Sequence, residues 1–375
     1  MTFTLSEEKK ILKDQAREFI RDRAPISRLR KMRDDKKNGR DEDLWRSMAE
    51  LGWTGIIIPE EHGGSALGYL GLGLVLEEAG RTLAASPLLS TAMIGAAALQ
   101  LAGTDVQKKT WLPKLASGAV ITALAVDEAA HHNPTKVATT ATKSGNTWKL
   151  SGTKRFVADG HLANLFIVSA RSAGKPGDTK GISLFLVDAN ASGLTRTELH
   201  TVDSRGAADL TLKDVTGELL GKADDSASLL DAILDRGRIG LAAEMLGQAQ
   251  EAFEFTTEYL KTRKQFGQVI GGFQALQHRA AKMFTEIEMT RSCVFAALEA
   301  LDRNATDIAE WASLAKARAC ETVHLVSNET VQMFGGIGMT DAHEAGLYLK
   351  RARVVEGLYG GDSFHRDRYA QVLGF

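Results

Sequence analysis

The order in which the texture of the chain changes constrains its fold more than any single motif. From Leu5 to about Ala116 apolar residues recur at helical spacing, as in Leu12, Ala16, Phe19 and Ile20. Near Val120 threonines, valines and short turns take over, and from about Ser226 helical spacing resumes almost to Phe375. The sequence of helical, β, helical without βαβ alternation argues against a doubly wound nucleotide fold, so a cofactor is expected between domains or subunits. At 375 residues the chain exceeds the roughly 250–300 at which single cores stop growing. Three domains are expected, spanning 1–119, 120–222 and 223–375.

In the first of these, Ser6 is placed to cap the opening helix. A second helix is expected from Asp43 to a stop at Gly52 and a third from Gly71 to a stop at Gly80, with the loop Pro59–Gly64 between them. Strands are expected at Val137–Thr142, Trp148–Leu150, Arg155–Val157, Leu165–Ser169, Ile182–Val187, Asp209–Leu212 and Asp214–Thr216, with turns at Ser144-Gly145-Asn146 and Ser151-Gly152. The closing third reads as an antiparallel bundle of long helices at Leu229–Thr262, Phe273–Leu301, Asp307–Phe334 and Glu344–Val355.

A formal charge of -1 writes no general attraction to nucleic acid or anionic membrane into the chain, so any anion needs a local site. Cys293 and Cys320 both fall in helical, alanine-rich sequence, where a buried small hydrophobe is the expected role. The first residues lack a targeting pattern and no segment reaches about 18 uninterrupted apolar residues, so a soluble cytoplasmic protein is expected.

Two segments follow long helices and carry a possible chemistry. Arg263–Gly267 (RKQFG) places cations at the negative end of a helix, and Gln332–Gly338 (QMFGGIG) has the glycines of a helix stop. The same residues suit a diphosphate, because glycine lets backbone amides approach phosphate and arginine clasps it with paired hydrogen bonds. Together with LGWTGIIIPEEHGG at Leu51–Gly64, LEEAGR at Leu76–Arg81 and Phe273-Gln274, they resemble the acyl-CoA dehydrogenase family over nearly the whole chain.

The resemblance implies an α+β fold that is mostly α: a helical N-terminal domain, a small β-barrel-like middle domain and a C-terminal four-helix bundle. It implies FAD as cofactor, an acyl-CoA substrate undergoing α,β-dehydrogenation, a homotetramer, and electron-transfer flavoprotein as a possible partner. Arg263, Phe266, Gln332, Gly335 and Gly336 match positions that reach the FAD of a neighbouring subunit, Gln274 is a further cofactor-binding candidate, and Phe156 and Ala158 match positions beside the flavin. Asp235 and Arg238, in Leu234-Asp235-Arg236-Gly237-Arg238, match positions that contact the CoA portion.

The pattern breaks at the catalytic base. The family reaction needs a carboxylate to take the α proton, best in an apolar setting that raises its pKa. Family members place it in a Y-E-G-T segment; here Val355–Asp362 puts Gly360 or Tyr359 there, depending on the register, and the alternative position on the substrate-lining helix is Gly237. The neighbouring carboxylates Glu356 and Asp235 are the candidate bases, and Asp362 replaces a threonine that approaches FAD in the family. Asp127–Asn133, including His131 and His132, replaces the family's T-E-P-x-A-G-S-D loop. Two readings of function stay open beside the dehydrogenase: a catalytically silent subunit forming a hetero-oligomer with an active paralogue, and a flavoenzyme with different CoA-thioester chemistry.

Overall fold

The computed structural model describes residues 5–145 and 147–375, so Asn146 of the expected turn lies outside the described residues. Helix α1 (Glu7–Arg23) starts where the Ser6 side chain accepts from the Lys9 N–H at 3.4 Å. It is followed by α2 (Ile26–Asp34) and by α3 (Glu42–Glu50), which Asp41 caps and which Gly52, at φ +76°, brings to an end. Next come α4 (Gly68–Arg81), a π-helical stretch Leu89–Gly95, α5 (Ala96–Ala102) and α6 (Asp105–Ala116). Thr104 and Gln107 close the start of α6 with a reciprocal capping box.

Seven strands follow: β1 (Thr122–Ala125), β2 (Thr140–Ser144), β3 (Thr147–Ala158), β4 (Leu165–Arg171), β5 (Ile182–Asp188), β6 (Leu194–Leu199) and β7 (Ala207–Leu220). The last third contains α7 (Ala227–Thr262), a hairpin of β8 (Lys264–Gln265) and β9 (Gln268–Val269), α8 (Gln274–Asp302), α9 (Ile308–Phe334), α10 (Ala345–Gly357) and α11 (Asp362–Val372). Among the described residues no helix is long and apolar enough to cross a membrane.

The chain folds as two compact units. One, Met32–Leu72 with Ala85–Gly237, contains the sheet. Its strands run β4-β2-β3-β7-β5 and return to β4, closing a small barrel, with β1 beside β4 and β6 beside β7. Leu150, Phe166, Val168, Phe185, Leu210 and Leu212 fill its core. The expected turn at Ser151-Gly152 is instead an irregularity inside one long strand: register shifts between Leu150 and Gly152 and again between Lys154 and Val157 bend β3 around the barrel. Asp209–Leu212 and Asp214–Thr216 likewise join into β7, with Asp214 at φ +51°. Strand β1 is buried along its whole length and carries no alternation from which its period could be read.

The other unit comprises the residues up to Lys31, Gly73–Ala84 and Arg238–Phe375. Within it α9 packs against α8, α10 and α11. Gly80 does not stop α4, which continues to Arg81. It is glycine because a Cβ there would stand 2.0 Å from the Glu244 carbonyl oxygen of α7, while one at Gly247 would stand 1.7 Å from the Glu77 carbonyl oxygen of α4. The two helices cross backbone to backbone at this glycine pair. Gly247→Ala is therefore expected to destabilise the protein by about 2–3 kcal/mol, although alanine is the better helix former by ~1 kcal/mol. Chemical denaturation measures it, and an unchanged midpoint would remove the crossing as the reason for the glycine.

Candidate active site

The two diphosphate-suited segments meet at one end of the bundle-containing unit. Tyr259, one turn before Arg263, stacks on Phe334 with ring centroids 4.2 Å apart, and Phe334 leads directly into the glycine turn. Beyond α7, Arg263 is exposed and the β8–β9 hairpin turns at Phe266 and Gly267, with φ of +53° and +81°. Phe266 is 88% exposed at the tip, touching Phe273 edge to face at 6.2 Å. A phenyl ring held in water by a left-handed backbone gains nothing from solvent and marks a surface built to be covered.

The glycine turn separates structural from available glycines. A Cβ on Gly338 would stand 2.8 Å from the Val331 carbonyl oxygen, so packing requires that glycine. On Gly335 or Gly336 it would meet nothing within 4 Å, so their bare backbone is open to a ligand. Gln332 is exposed at the last turn of α9, Gln274 at the first turn of α8, and Met339 is 78% exposed. Exposed arginine and glutamines beside bare glycine backbone are a set that fits an anionic diphosphate, while the Gly335 N–H itself donates to the Val331 and Gln332 carbonyls.

A second cluster surrounds the connection from α10 to α11. Leu358 caps α10, and Tyr359 and Gly360 follow at φ +58° and +104°. Three fully buried basic side chains hold this turn. Lys316 Nζ donates to the carbonyls of Val355 at 3.1 Å, Glu356 at 3.3 Å and Gly360 at 3.0 Å, and lies 3.1 Å from Cys320 Sγ. Arg238 Nε and His365 Nε2 both donate to the Tyr359 carbonyl, at 3.3 and 3.1 Å. Burial pushes the Lys316 amine below the usual lysine range against the pull of Cys320. Burial, joined by Lys316, Arg238 and Arg368, drives the His365 pKa far below its ordinary value and keeps the imidazole neutral. The Tyr359 side chain is buried.

The carboxylates near this turn are engaged. Glu356 accepts from Arg353 Nη1 at 2.6 Å and meets His324 Nδ1 at 3.3 Å. Asp362 accepts from Arg366 one turn along its own helix, at 2.8 Å. Deeper in the unit, Arg351 pairs with Glu244 through Nε at 3.1 Å and Nη2 at 2.6 Å. Lys316 and the Glu244–Arg351 pair were not foreseen from sequence; a charged residue inside an otherwise apolar helical face was the available signal. Cys320 is buried as expected, whereas Cys293 is only half-buried.

In the barrel-containing unit the β1–β2 connection is ordered by its own acids. Asp127 accepts from His132 Nδ1 at 2.9 Å and from the Asn133 N–H at 3.1 Å. Glu128 accepts from the Ala138 and Thr139 N–H groups at 2.7 and 3.0 Å and from buried Lys154 at 2.7 Å. Burial opposes its charge, but Lys154 prevails and holds the carboxyl below its usual range. Phe156, at φ +48° and 42% exposed, donates its N–H to Asp209 at 2.9 Å; Ala158 nearby offers no side-chain donor. Asp235 is buried within the same unit, beside Arg236, which donates to the Tyr69 hydroxyl at 3.1 Å. Among the described residues no group of His, Cys, Asp and Glu is arranged to hold a metal.

Comparison with known proteins matches this architecture along the chain. Residues 6–119 match the acyl-CoA dehydrogenase N-terminal domain, 123–215 the middle domain and 228–374 the C-terminal domain. The chain is 30% identical over 365 residues to the mitochondrial short/branched chain specific acyl-CoA dehydrogenase of Bos taurus, covering 94% of this chain and 82% of the relative. The structure of butyryl-CoA dehydrogenase from Megasphaera elsdenii superposes with a TM-score of 0.93 at 27% identity, covering all of both chains. A variant of the steroid ACAD Tcur3481-Tcur3483 superposes with a TM-score of 0.88 at 35% identity, covering 99% of this chain and 98% of that one. The chain belongs to the acyl-CoA dehydrogenase family. It is an FAD-dependent enzyme that dehydrogenates acyl-CoA thioesters.

Proposed function

We propose that this chain works as a tetramer in which each flavin is shared between subunits. The observation that carries the reading is the open backbone of Gly335 and Gly336 at the same end of the bundle as exposed Arg263 and Phe266. Arg263 holds the FAD diphosphate of a neighbouring subunit, which the bare backbone at Gly335 and Gly336 lets come close, Gln274 and Gln332 add neutral hydrogen bonds, and Phe266 covers an apolar face. Phe156 and Ala158 flank the ring from the barrel, and Asp235 and Arg238 bind the CoA portion. FAD when bound supplies the acceptor for the substrate's β hydride. The linear domains 1–119, 120–222 and 223–375, a cytoplasmic location and electron-transfer flavoprotein as acceptor complete the reading.

Arg263→Ala tests it. Loss of a charge-assisted hydrogen bond of about 1.5–3 kcal/mol weakens FAD binding roughly 10- to 150-fold, with the circular dichroism spectrum unchanged. An unaltered FAD affinity would remove Arg263 from the site.

The α proton needs an acceptor, and the candidates are Asp235 and Glu356. Asp235 is the more buried of the two. Glu356 is tied to Arg353 and His324, so Glu356→Gln is expected to leave the rate of anaerobic flavin bleaching by acyl-CoA within about twofold, against a 100-fold or greater fall for Asp235→Asn. The reverse ranking would assign the proton to Glu356.

A second reading has its own support. By the family register Gly360 or Tyr359 stands where a carboxylate is required, and this turn is held by Arg238, Lys316 and His365. The similar steroid ACAD carries a double designation, Tcur3481-Tcur3483. In this reading the chain is the silent member of a pair and lends Arg263 and Gln332 to an active paralogue. Purification as a self-sufficient tetramer whose flavin is bleached by an acyl-CoA would exclude it.

A further inference from the structure

We propose that His343 is a positioning residue of the FAD site, the end piece of an aromatic clamp that holds the glycine turn in register with Arg263. This rests on the reading above, in which the bare backbone at Gly335 and Gly336 lies against the diphosphate that Arg263 holds, and it adds the part that keeps the two together.

The turn Gly335–Met339 needs holding at its flanks, because the glycines that leave its backbone bare also leave it conformational freedom. Those flanks meet. Phe334 precedes the turn and His343 follows it, and the two rings lie one over the other with centroids 4.0 Å apart and planes tilted by 34°. Tyr259 stacks on the same Phe334 ring at 4.2 Å and 25°, so Phe334 is sandwiched. Phe255 closes the side, 5.8 Å from Phe334 and edge to face with His343 at 5.7 Å. Tyr259 belongs to α7, one turn before Arg263, so three stacked rings carry the spacing from the arginine's helix to both ends of the glycine turn.

His343 is fixed in turn by the start of α10, where its Nδ1 accepts from the Ala345 N–H at 3.1 Å. That bond needs the neutral ring. Burial pushes the imidazole pKa below its ordinary value, with Glu344 opposing and Arg30 adding to the effect. The residue therefore does two separable things: Nδ1 caps α10, and the face of the ring closes the loop. FAD affinity depends on the second, because a turn that is ordered only when its ligand arrives subtracts that ordering entropy from binding.

Two variants separate the roles. His343→Asn keeps an acceptor for the Ala345 N–H and removes the ring, whereas His343→Phe keeps a ring and removes the acceptor. FAD is titrated into each purified full-length apoprotein and binding is read by quenching of flavin fluorescence, with circular dichroism and the urea midpoint as checks of folding. His343→Asn is expected to weaken FAD binding roughly threefold to tenfold and His343→Phe by less than about twofold. In the His343→Asn background Arg263→Ala costs about threefold less than in wild type, because guanidinium and turn no longer act on one group. The reverse ranking of the two variants would make His343 a helix cap alone, and equal costs of Arg263→Ala in both backgrounds would make ring and guanidinium independent; either result overturns the proposal. If Arg263→Ala by itself left FAD affinity unchanged, the diphosphate reading would fall and the clamp with it, whereas an effect of Arg263→Ala without one of His343→Asn removes only the clamp.

Discussion

Replacing Lys316 by methionine lowers the unfolding free energy by about 3 kcal/mol, because three carbonyls at the end of α10 lose a buried charge-assisted donor at once. The same variant changes the pH dependence. In the folded protein the Lys316 pKa lies below its ordinary 10.5. Between the lowered value and 10.5 the unfolded chain binds more protons than the folded one, so this group makes stability rise with pH across that window. The advantage of wild type over Lys316→Met is therefore smaller at neutral pH than near pH 10. Urea titrations at a series of pH values read both effects. A difference that is flat with pH would mean that Lys316 stays fully charged in its site.

Arg351→Leu is expected to cost about 3–5 kcal/mol, since it removes the buried guanidinium that donates to Glu244 at 3.1 and 2.6 Å. Restoring neutrality with Glu244→Leu in the same chain recovers most of that loss, because a buried pair replaced by apolar residues of similar size is often close to neutral in stability. The double-mutant cycle separates the pair from its surroundings. If the single and double variants lost stability equally, packing of the arginine stem rather than its charge would be the cause.

These two sites lie deep in the bundle, and the local sequence around them carries only a weak signal of their burial. Lys316 occurs in the run Leu314-Ala315-Lys316-Ala317-Arg318, where a lysine reads as a solvated position on an ordinary helix. Its burial depends on α10 ending with its carbonyls directed at α9, a relation between residues some forty positions apart. Helix ends and caps were legible because they are local. Ser6, Gly52 and the end of α7 at Thr262 follow from hydrogen bonds and backbone freedom within a few residues. Gly80 was misread for the same reason. A glycine near the end of a helical pattern reads as a stop, and only the approach of Glu244 explains why α4 passes through it.

The strands divide along the same line. Leu165–Arg171 and Ile182–Asp188 stand out as apolar runs bounded by turn residues, while Ser151-Gly152 has turn chemistry but sits inside a strand that must bend to close a barrel.

The motifs RKQFG and QMFGGIG were readable as sequence, and with them the family, FAD and the class of substrate. Sequence alone thus determined the order of helical and β segments, the local stops and caps, and the diphosphate-suited segments, since each depends on residues close together in the chain. Tertiary structure alone decided that Gly335 and Gly336 are open whereas Gly338 is packed, that Glu356 is held by Arg353, and that the turn at Tyr359 rests on Arg238, Lys316 and His365. Exposure, ion pairing and the state of a buried amine are set by groups that arrive from distant parts of the chain, and their desolvation exists only once the helices have packed.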